Sequence, residues 1–491
     1  MLEEMDLFLY FSIFAIGGIY VFVYFPITFS YKTNRNNVKL PPGKFGWPII
    51  GETIDFVLSS RNGYPERFIA NRTNNYSSEI FKTSLIGEKM AVLCGPSGNK
   101  FVFSNENRLV KSWIPHSVQK VLLEETNSDL GSEERTMWRS IFFEFLKPEV
   151  IKTYIPVIDY STKQHLEDEW GSNQTLKVHP LTKRFIFALS CKLFLGIEDP
   201  SDLAKLADQF ALVNAGLISL PVDIPGTAFS NAIKAAKVIR GELQKIVRQQ
   251  KLYLSESEDL ETSCNMLARS LAITENLGKF TSESEIASTM LGFLLASHEA
   301  TSALITNLIY HLADNPQVYS QVLREQNEIA KLKGAEKLLS WEDTNRMKYS
   351  RNVMNEVLRI APPSQGFFRE ALHDITYTNF TIPKGWKIYW SVSTTHKDPK
   401  YFPKPEYFDP TRFEGDGPLP YTFTPFGGGP RMCPGNEFAR QLVLVFIHNL
   451  VRKYSWEKLL PNEKIRFDQG LAVPVSGLPI KIQPHRDQAV E

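Results

Sequence analysis

The residues whose types and spacing best suit a chemical role lie near the carboxyl end of the 491-residue chain, in the segment PFGGGPRMCPGNEFAR at 425–440. Cys433 stands directly before a predicted helix, whose N-terminal amides favour the thiolate form of a cysteine. Gly429 and Gly435 allow the backbone to pass close to a flat ligand. The alternative is an inert buried cysteine in a glycine-rich turn, but such a cysteine does not require the flanking arginine and glycines.

A second group of residues that could take part in chemistry lies in the middle of a long predicted helix. Ser282 and Glu285 form a capping box, and the helical pattern then runs to Asp314, which is about 30 residues or roughly 45 Å. Its centre, MLGFLLASHEATSALITNLI at 290–309, is apolar on nearly every face. We therefore expect Glu299, in that centre, to have a hydrogen-bonding or charged partner or a functional role.

A third candidate is the pair Glu356 and Arg359 in NEVLRIAPP, three residues apart on one face of a predicted helix. Taken alone, such a pair is most often a solvated surface pair. Two further motifs argue against a surface pair. Arg412 in FDPTRF follows about fifty residues later, and the Cys433 segment follows about twenty residues after that.

The elements that position these residues are mainly helical. From about 148 to 350 the apolar residues recur at three- and four-residue spacing with few glycines. The run 79–103 predicts a small hairpin sheet, and YTNFTIPKGWKIYWSVS at 377–393 predicts two strands around a Pro-Lys-Gly turn.

The cysteine segment resembles the ligand loop of cytochrome P450 haem-thiolate enzymes. The spacing F-x-x-G-x-R-x-C-x-G is formed by Phe426, Gly429, Arg431, Cys433 and Gly435. The resemblance implies the P450 fold, which is mainly α with small β-sheets, and a haem b (iron protoporphyrin IX) cofactor whose iron takes the Cys433 sulfur as axial ligand. A thiolate ligand pushes electron density into iron and favours cleavage of the O–O bond.

The same resemblance assigns further residues. It places Glu356, Arg359 and Arg412 in a buried ion-pair network that braces the cysteine loop, and it implies cofactor contacts from Phe426, Gly429 and Gly435. The cations implied for the haem propionates are Arg431, Arg369 and Arg139. Relatives usually have Trp or His at the place of Arg135, so that residue has no assigned role.

The long helix departs from the family pattern at its oxygen-activating site. Relatives read A/G-G-x-D/E-T-T, whereas this chain reads ASHEAT, with Glu299 as the acid but Ala300 in the place of the alcohol. Thr301 is one residue later, a rotation of about 100°. We therefore expect proton delivery to use Glu299, water, and either Ser297 or Thr301. His298 is interpreted as a helix residue with its own hydrogen bond.

An N-terminal membrane anchor is predicted from 19 uncharged residues at 7–25, a length of roughly 28 Å. Acidic residues precede the run and basic residues follow it, which favours a retained anchor over a cleaved signal peptide. The predicted organisation is an anchor at 1–31, a basic Pro/Gly-rich neck at 32–51, and one haem-binding catalytic domain at 52–491. We expect single-pass insertion in the endoplasmic reticulum membrane with the catalytic domain in the cytosol.

The composition of the chain limits the kinds of partner that it can have. The formal charge is +1, so no basic excess indicates a nucleic-acid partner. Four cysteines without a C-x-x-C pair indicate a reducing compartment. No flavin or nicotinamide fingerprint occurs, so electrons from NADPH must arrive through a separate protein, which the resemblance implies is NADPH-cytochrome P450 reductase. Arg440, Arg452 and Lys453 are candidates for its docking surface.

The substrate class also rests on resemblance. LPPGKFGWPIIGE, FKTSLIG, LCGPSGNK, FLKPE and FTIPKGWKIYW are similar to the plant group of triterpenoid (β-amyrin-type) oxidases, which act on large apolar polycycles. The segments 109–118, 210–226, 362–368 and 471–475 are apolar enough to line such a pocket. The alternatives are a haem-thiolate isomerase or dehydratase, a P450 acting on a diterpenoid or another plant metabolite, and a non-catalytic haem-binding protein.

Overall fold

The computed structural model describes residues 17–18, 38–61, 65–122, 143–171, 175–217, 219, 221–256, 265–276, 282–334, 337–468 and 471–485. The chain forms two compact units. The first contains the described residues up to Trp113 together with Gly366–Thr395. The second contains Ile114–Gln365 and the chain from His396 onward.

Fifteen α-helices lie within the described residues. They are α1 (Thr53–Arg61), α2 (Pro65–Asn75), α3 (Gly95–Ser104), α4 (His116–Leu122), α5 (Pro148–His165), α6 (Val178–Ser190), α7 (Pro200–Leu217), α8 (Ala228–Glu256), α9 (Met266–Asn276), α10 (Glu283–Asp314), α11 (Pro316–Lys333), α12 (Trp341–Arg346), α13 (Lys348–Ile360), α14 (Ser393–His396) and α15 (Asn436–Lys453).

Twelve short strands lie in the same part of the chain. They are β1 (Ile80–Leu85), β2 (Glu88–Leu93), β3 (Val110–Trp113), β4 (Thr175–Lys177), β5 (Gly366–Ala371), β6 (Ile375–Tyr377), β7 (Phe380–Ile382), β8 (Lys387–Ser391), β9 (Tyr454–Lys458), β10 (Ile465–Asp468), β11 (Leu471–Pro474) and β12 (Pro479–Pro484).

The first unit is built on a five-stranded sheet in the order β1-β2-β8-β5-β3, in which only the β2–β8 pair is parallel. The hairpin predicted at 79–103 is confirmed for β1 and β2. Ile86 (φ 56°) and Gly87 (φ 77°) form their two-residue turn, in the left-handed conformation that matches strand twist. Residues 95–104 instead form helix α3, because Pro96 lies in a first helical turn and Val102 and Phe103 occupy its buried face.

The two strands predicted at 377–393 are also present, as β7 and β8 on either side of Pro383–Gly385. They do not pair with each other. β7 pairs with β6 in a separate two-stranded sheet, while β8 enters the five-stranded sheet and is buried at every residue.

The second unit is predominantly helical and contains the large apolar core. Its central element is α10, which has the predicted capping box at Ser282 and Glu285 and remains α-helical to Asp314. Helices α6, α8, α13 and α15 and strand β11 pack against it. Because it is surrounded, most of its side chains are buried, as its apolar pattern predicts.

Among the described residues, no helix has both the length and the apolar character needed to cross a bilayer. The anchor predicted at 7–25 lies outside the described residues except for Gly17 and Gly18.

Candidate active site

The cysteine loop of the second unit is folded back on itself by backbone hydrogen bonds. The Cys433 N–H donates to the Phe426 carbonyl at 2.9 Å, and the Gly427 N–H donates to the Thr424 carbonyl at 3.0 Å. Gly427 (φ 73°) and Gly429 (φ 66°) adopt the left-handed conformation that this tight path requires. The glycine run therefore sets the geometry of the loop that carries the sulfur.

Cys433 differs from the buried cysteines of the chain. Burial raises the pKa values of the Cys94 and Cys191 thiols to about 12, so both are neutral hydrophobic side chains at physiological pH. Cys433 is exposed and lies just before α15, whose N-cap is Gly435. A thiolate there is favoured by the positive end of the helix dipole.

Three small residues, Gly292, Ala296 and Ala300, follow one another at four-residue spacing along α10. Ala296 is exposed, and Gly292 and Ala300, four residues before and after it, are partly exposed, whereas most of the helix is buried. A Cβ atom built at Gly292 would meet no atom within 4 Å, and the same holds for Gly435 at the cysteine loop. An exposed thiol in a glycine turn and an open, small-residue helix face fit a flat cofactor such as haem.

Glu356 and Arg359 form a bidentate ion pair that is fully buried. Arg359 Nε and Nη2 each lie 2.7 Å from a different Glu356 carboxylate oxygen, and both side chains have 0% exposure. Arg412 Nε lies 3.4 Å from Glu356 Oε1, so the three predicted residues are brought together. Arg359 also donates to the carbonyls of His396 and Tyr407. The pair thereby holds the chain that leads to the cysteine loop.

His396 connects this network to the cysteine loop and was missed by the sequence analysis. Burial, reinforced by the charge of Arg359, lowers its pKa to about 3, so the imidazole is neutral. Its Nε2 accepts the Thr424 N–H at 3.0 Å, and its ring stacks on Phe423 with centroids 5.2 Å apart. Thr424 begins the cysteine loop, so His396 anchors that loop. Its partners are distant in sequence and no local pattern indicates them.

The arginines predicted to bind haem propionates occupy different environments. Arg369 lies on β5 in the first unit, is buried, and donates from Nε to Glu106 Oε2 at 2.6 Å. Arg431 is exposed at the end of the 3₁₀ turn Gly429–Arg431 of the second unit. Arg139 and Arg135 lie outside the described residues.

Glu299 is held by groups from two neighbouring helices. Its Oε1 lies 2.6 Å from Lys183 Nζ on α6 and 2.9 Å from Asn214 Nδ2 on α7. His298 Nδ1 is 3.1 Å from the same oxygen. Burial alone raises the pKa of this carboxyl, but His298 and Lys183 outweigh burial and lower it to about 2. Glu299 is therefore ionised and points toward α6 and α7.

Ser297 and Thr301 do not share the face of Ala300. The Ser297 hydroxyl is 3.0 Å from the Ser190 hydroxyl on α6 and donates to the Leu294 carbonyl. Thr301 is buried. Because α10 is α-helical throughout, no local change of winding returns either hydroxyl to the position that Ala300 occupies.

An exposed cysteine in a glycine turn before a helix, with a buried arginine–carboxylate pair behind its loop, is the arrangement expected of the class of haem-thiolate proteins. The cytochrome P450 profile matches residues 41–482, and the chain belongs to that family. It is therefore a cytochrome P450 monooxygenase with a haem cofactor, and the fold and enzyme class predicted from the sequence are confirmed.

Among similar proteins, the protopanaxadiol 6-hydroxylase of Panax ginseng is 51% identical over 93% of this chain and 95% of its own length. A β-amyrin 28-monooxygenase of Vitis vinifera is 47% identical over 94% of this chain and 95% of its own. The retinoic acid-bound cyanobacterial CYP120A1 has a similar structure, with a TM-score of 0.80 and 29% identity, over 91% of this chain and all of its own.

Proposed function

We propose that this P450 hydroxylates an unactivated C–H bond of a triterpenoid, with the pentacyclic β-amyrin as the leading substrate. The main support for this proposal is the similarity, along nearly the whole chain, to enzymes that act on such compounds. A β-amyrin 6-beta-monooxygenase of Solanum lycopersicum, for example, is 46% identical over 98% of this chain and all of its own length. The proposal includes repeated oxidation at the same carbon, which carries the alcohol to a ketone, an aldehyde or an acid.

When bound, haem supplies activation of dioxygen and oxidation of the substrate carbon. In this proposal Cys433 holds the iron through its sulfur, and Phe426, Gly429 and Gly435 shape the loop against the macrocycle. Arg431, Arg369 and Arg139 neutralise the two propionates. Glu356, Arg359 and Arg412 touch neither cofactor nor substrate, and they act by fixing the loop.

Proton handling falls to Glu299. Its carboxylate exchanges protons with solvent through Lys183, whose side chain is 32% exposed, and a water molecule occupies the role that relatives give to the alcohol. Ser297 and Thr301 remain the two candidate hydroxyls on α10. The hydrogen bond from Ser297 to Leu294 and its contact with Ser190 favour Thr301 of the two.

Substrate contacts are proposed from the apolar segments, with one distinction drawn from burial. In 210–226, Phe210 and Val213 are core residues, whereas Val222 and Ile224 are exposed. In 471–475, Ala472 is buried and bonded through its carbonyl to Asn307 of α10. The exposed members are the better candidates, because core side chains are already occupied by packing.

The electron donor is proposed to be NADPH-cytochrome P450 reductase at the endoplasmic reticulum membrane, with the N-terminal run as single-pass anchor. Arg440 is a poor docking residue, because its guanidinium stacks over Phe426 at 4.9 Å and donates to Asn355. Arg452 is exposed and remains a candidate. Lys453 is half-buried and lies 3.4 Å from Glu167.

The test is co-expression of the full chain with a plant reductase in yeast that makes β-amyrin, and in a second strain that makes protopanaxadiol. We expect a product one oxygen heavier than β-amyrin that disappears when the reductase is omitted. Oxidation of protopanaxadiol alone would replace the proposed substrate, and no oxygenated triterpenoid in either strain would contradict the proposal. Reductase-independent conversion of an oxygenated substrate would identify the isomerase or dehydratase alternative, which Ala300 favours.

A further inference from the structure

Arg440 places a half-buried cation against the cysteine loop. It lies in the second turn of α15, and its guanidinium carbon is 4.9 Å from the centroid of the Phe426 ring. Its Nη1 donates to Asn355 Oδ1 of α13 at 2.6 Å. The side chain therefore joins three segments of the second unit, namely helix α15, helix α13 and the loop that carries the sulfur.

The charge of Arg440 is not neutralised by a carboxylate in the part of the chain that the structure describes. The acid nearest in sequence, Glu437, is engaged elsewhere: its Oε1 lies 3.5 Å from Arg351 Nη2 and accepts from Gln441 Nε2 at 2.7 Å. Burial, reinforced by the charge of Arg351, lowers the pKa of Arg440 to about 10, so the side chain is still a cation at neutral pH. Its stabilising contacts are the aromatic face of Phe426 and one amide oxygen.

Phe426 is bonded directly to the residue that carries the sulfur. Its carbonyl accepts the Cys433 N–H at 2.9 Å, which closes the glycine turn between them. Gly427 and Gly429 in that turn have positive φ and no side chain that could fix the turn by packing. The Phe426 ring, in contrast, packs against the core of the second unit and lies beneath Arg440. Where this ring lies therefore affects where the backbone of Cys433 lies.

We propose that Arg440 is a positioning residue for the sulfur ligand, which clamps the Phe426 ring against the core and places a fixed positive charge beside the loop. The inference rests on the proposed role of Cys433 as iron ligand. It is separate from the buried Glu356–Arg359 pair, which holds the chain that leads to the loop, whereas Arg440 acts on a residue within the loop.

The packing and the charge of Arg440 affect different measurements. Loss of the clamp on Phe426 loosens the loop and speeds the release of haem. A positive charge near thiolate-bound iron favours the reduced state, which is the more negative of the two oxidation states. Removal of this charge therefore lowers the midpoint reduction potential of the iron, an effect that a purely structural role of the side chain does not predict.

The test compares the full-length haem protein with Arg440→Met, which keeps much of the side chain without the charge, and with Arg440→Lys, which keeps the charge without the planar fork. We expect Arg440→Met to have a lower midpoint potential and to transfer haem to an apoprotein acceptor at least about threefold faster. Arg440→Lys should recover most of the potential and less of the haem retention. The matched control is Lys152→Met, which removes a cation over the Trp341 ring, away from the loop, and should change neither quantity.

A second background tests whether the clamp acts through the ring. In Phe426→Leu, we expect Arg440→Met to change the rate of haem transfer little, because the stacking partner is already absent. An undiminished effect there would overturn the proposal. Asn355→Leu removes the amide that orients the guanidinium and should also speed haem transfer, so it decides if Phe426→Leu does not retain haem.

The proposal fails if Arg440→Met matches the unsubstituted protein in both potential and haem transfer, or if Lys152→Met produces the same changes. Either result would leave the thiolate-type spectrum of the unsubstituted protein under carbon monoxide intact. An unsubstituted protein that lacks this spectrum would instead contradict the role of Cys433, and with it the proposed function. The spectrum therefore distinguishes failure of the clamp from failure of the function on which it rests.

Discussion

Arg359 donates to the His396 carbonyl, and the His396 ring in turn accepts the backbone N–H of Thr424, which joins the buried Glu356–Arg359 pair to the loop of Cys433. The cysteine loop contains three consecutive glycines, which have no side chain to pack, while Phe423 and Phe426 pack against the core. In addition to its local hydrogen bonds, the loop is therefore held by partners more than twenty residues away in sequence.

Glu356→Gln should strongly destabilise the protein, because it leaves Arg359 charged and unpaired in the interior. Loss of one member of a buried ion pair costs about 3–5 kcal/mol. The measurements are the free energy of unfolding in urea and the haem content per chain, and we expect both to fall. The matched control is Glu144→Gln, which removes a half-exposed carboxylate bonded to Lys147 and should leave both unchanged. Equal stabilities of the two variants would contradict the buried brace.

His396→Phe should loosen the cysteine loop, because phenylalanine keeps the stacking on Phe423 but leaves the Thr424 N–H without its acceptor. An unsatisfied buried donor costs about 1–3 kcal/mol. We expect faster transfer of haem to an apoprotein acceptor from His396→Phe. His396→Gln offers an acceptor oxygen and should lose haem more slowly than the phenylalanine variant. Identical release rates for both variants would show that His396 acts by packing alone.

Ala300→Thr should raise the ratio of product formed to NADPH consumed. Ala300 is partly exposed in the line of small residues Gly292, Ala296 and Ala300, so a hydroxyl added there supplies a donor on a face of α10 that Ser297 and Thr301 do not share. Ala300→Val adds the same bulk without the hydroxyl and is the matched control. An unchanged or lower ratio in Ala300→Thr, or the same gain in Ala300→Val, would show that the relay is organised differently.

Stability should fall as the pH drops below 6.5. Burial lowers the pKa values of His311, His396 and His448 to about 3, so between pH 6.5 and 3 the unfolded chain binds protons that the folded chain does not. Unfolding is then favoured by acid, at roughly 1.4 kcal/mol per pH unit for each histidine. His311→Phe should reduce the slope of unfolding free energy against pH by about one proton.

The control for this slope is Leu308→Ala, which also opens the buried side of α10 but removes no titrating group. It should lower stability at every pH while the slope stays the same. A slope that His311→Phe leaves unchanged would mean that this imidazole takes up protons in the folded protein as readily as in the unfolded chain.

Local patterns in the sequence were sufficient for several features. The capping box at Ser282, the long apolar helix after it and the helix that follows Cys433 each depend on residues close together in the chain, and the structure contains all three. The spacing of Glu356 and Arg359 predicts that they share one helix face, whereas their burial with Arg412 was expected from the family resemblance.

The remaining features depend on contacts across long sequence separations. Lys183 and Asn214 lie 116 and 85 residues before Glu299, and nothing local marks them as its partners. The rotation of Ser297 toward Ser190 is likewise set by the packing of α10 on α6. Helix α3 was mistaken for part of a hairpin region because FVF at 101–103 suits a buried strand as well as a buried helix face.

The most direct test is the optical spectrum of the purified, reduced full-length protein under carbon monoxide, compared with that of Cys433→Ser. Sulfur ligation by Cys433 predicts the red-shifted Soret band typical of a thiolate-bound haem in the unsubstituted protein and its absence in Cys433→Ser. An unsubstituted protein without haem absorbance, or a serine variant that keeps the thiolate band, would contradict the account.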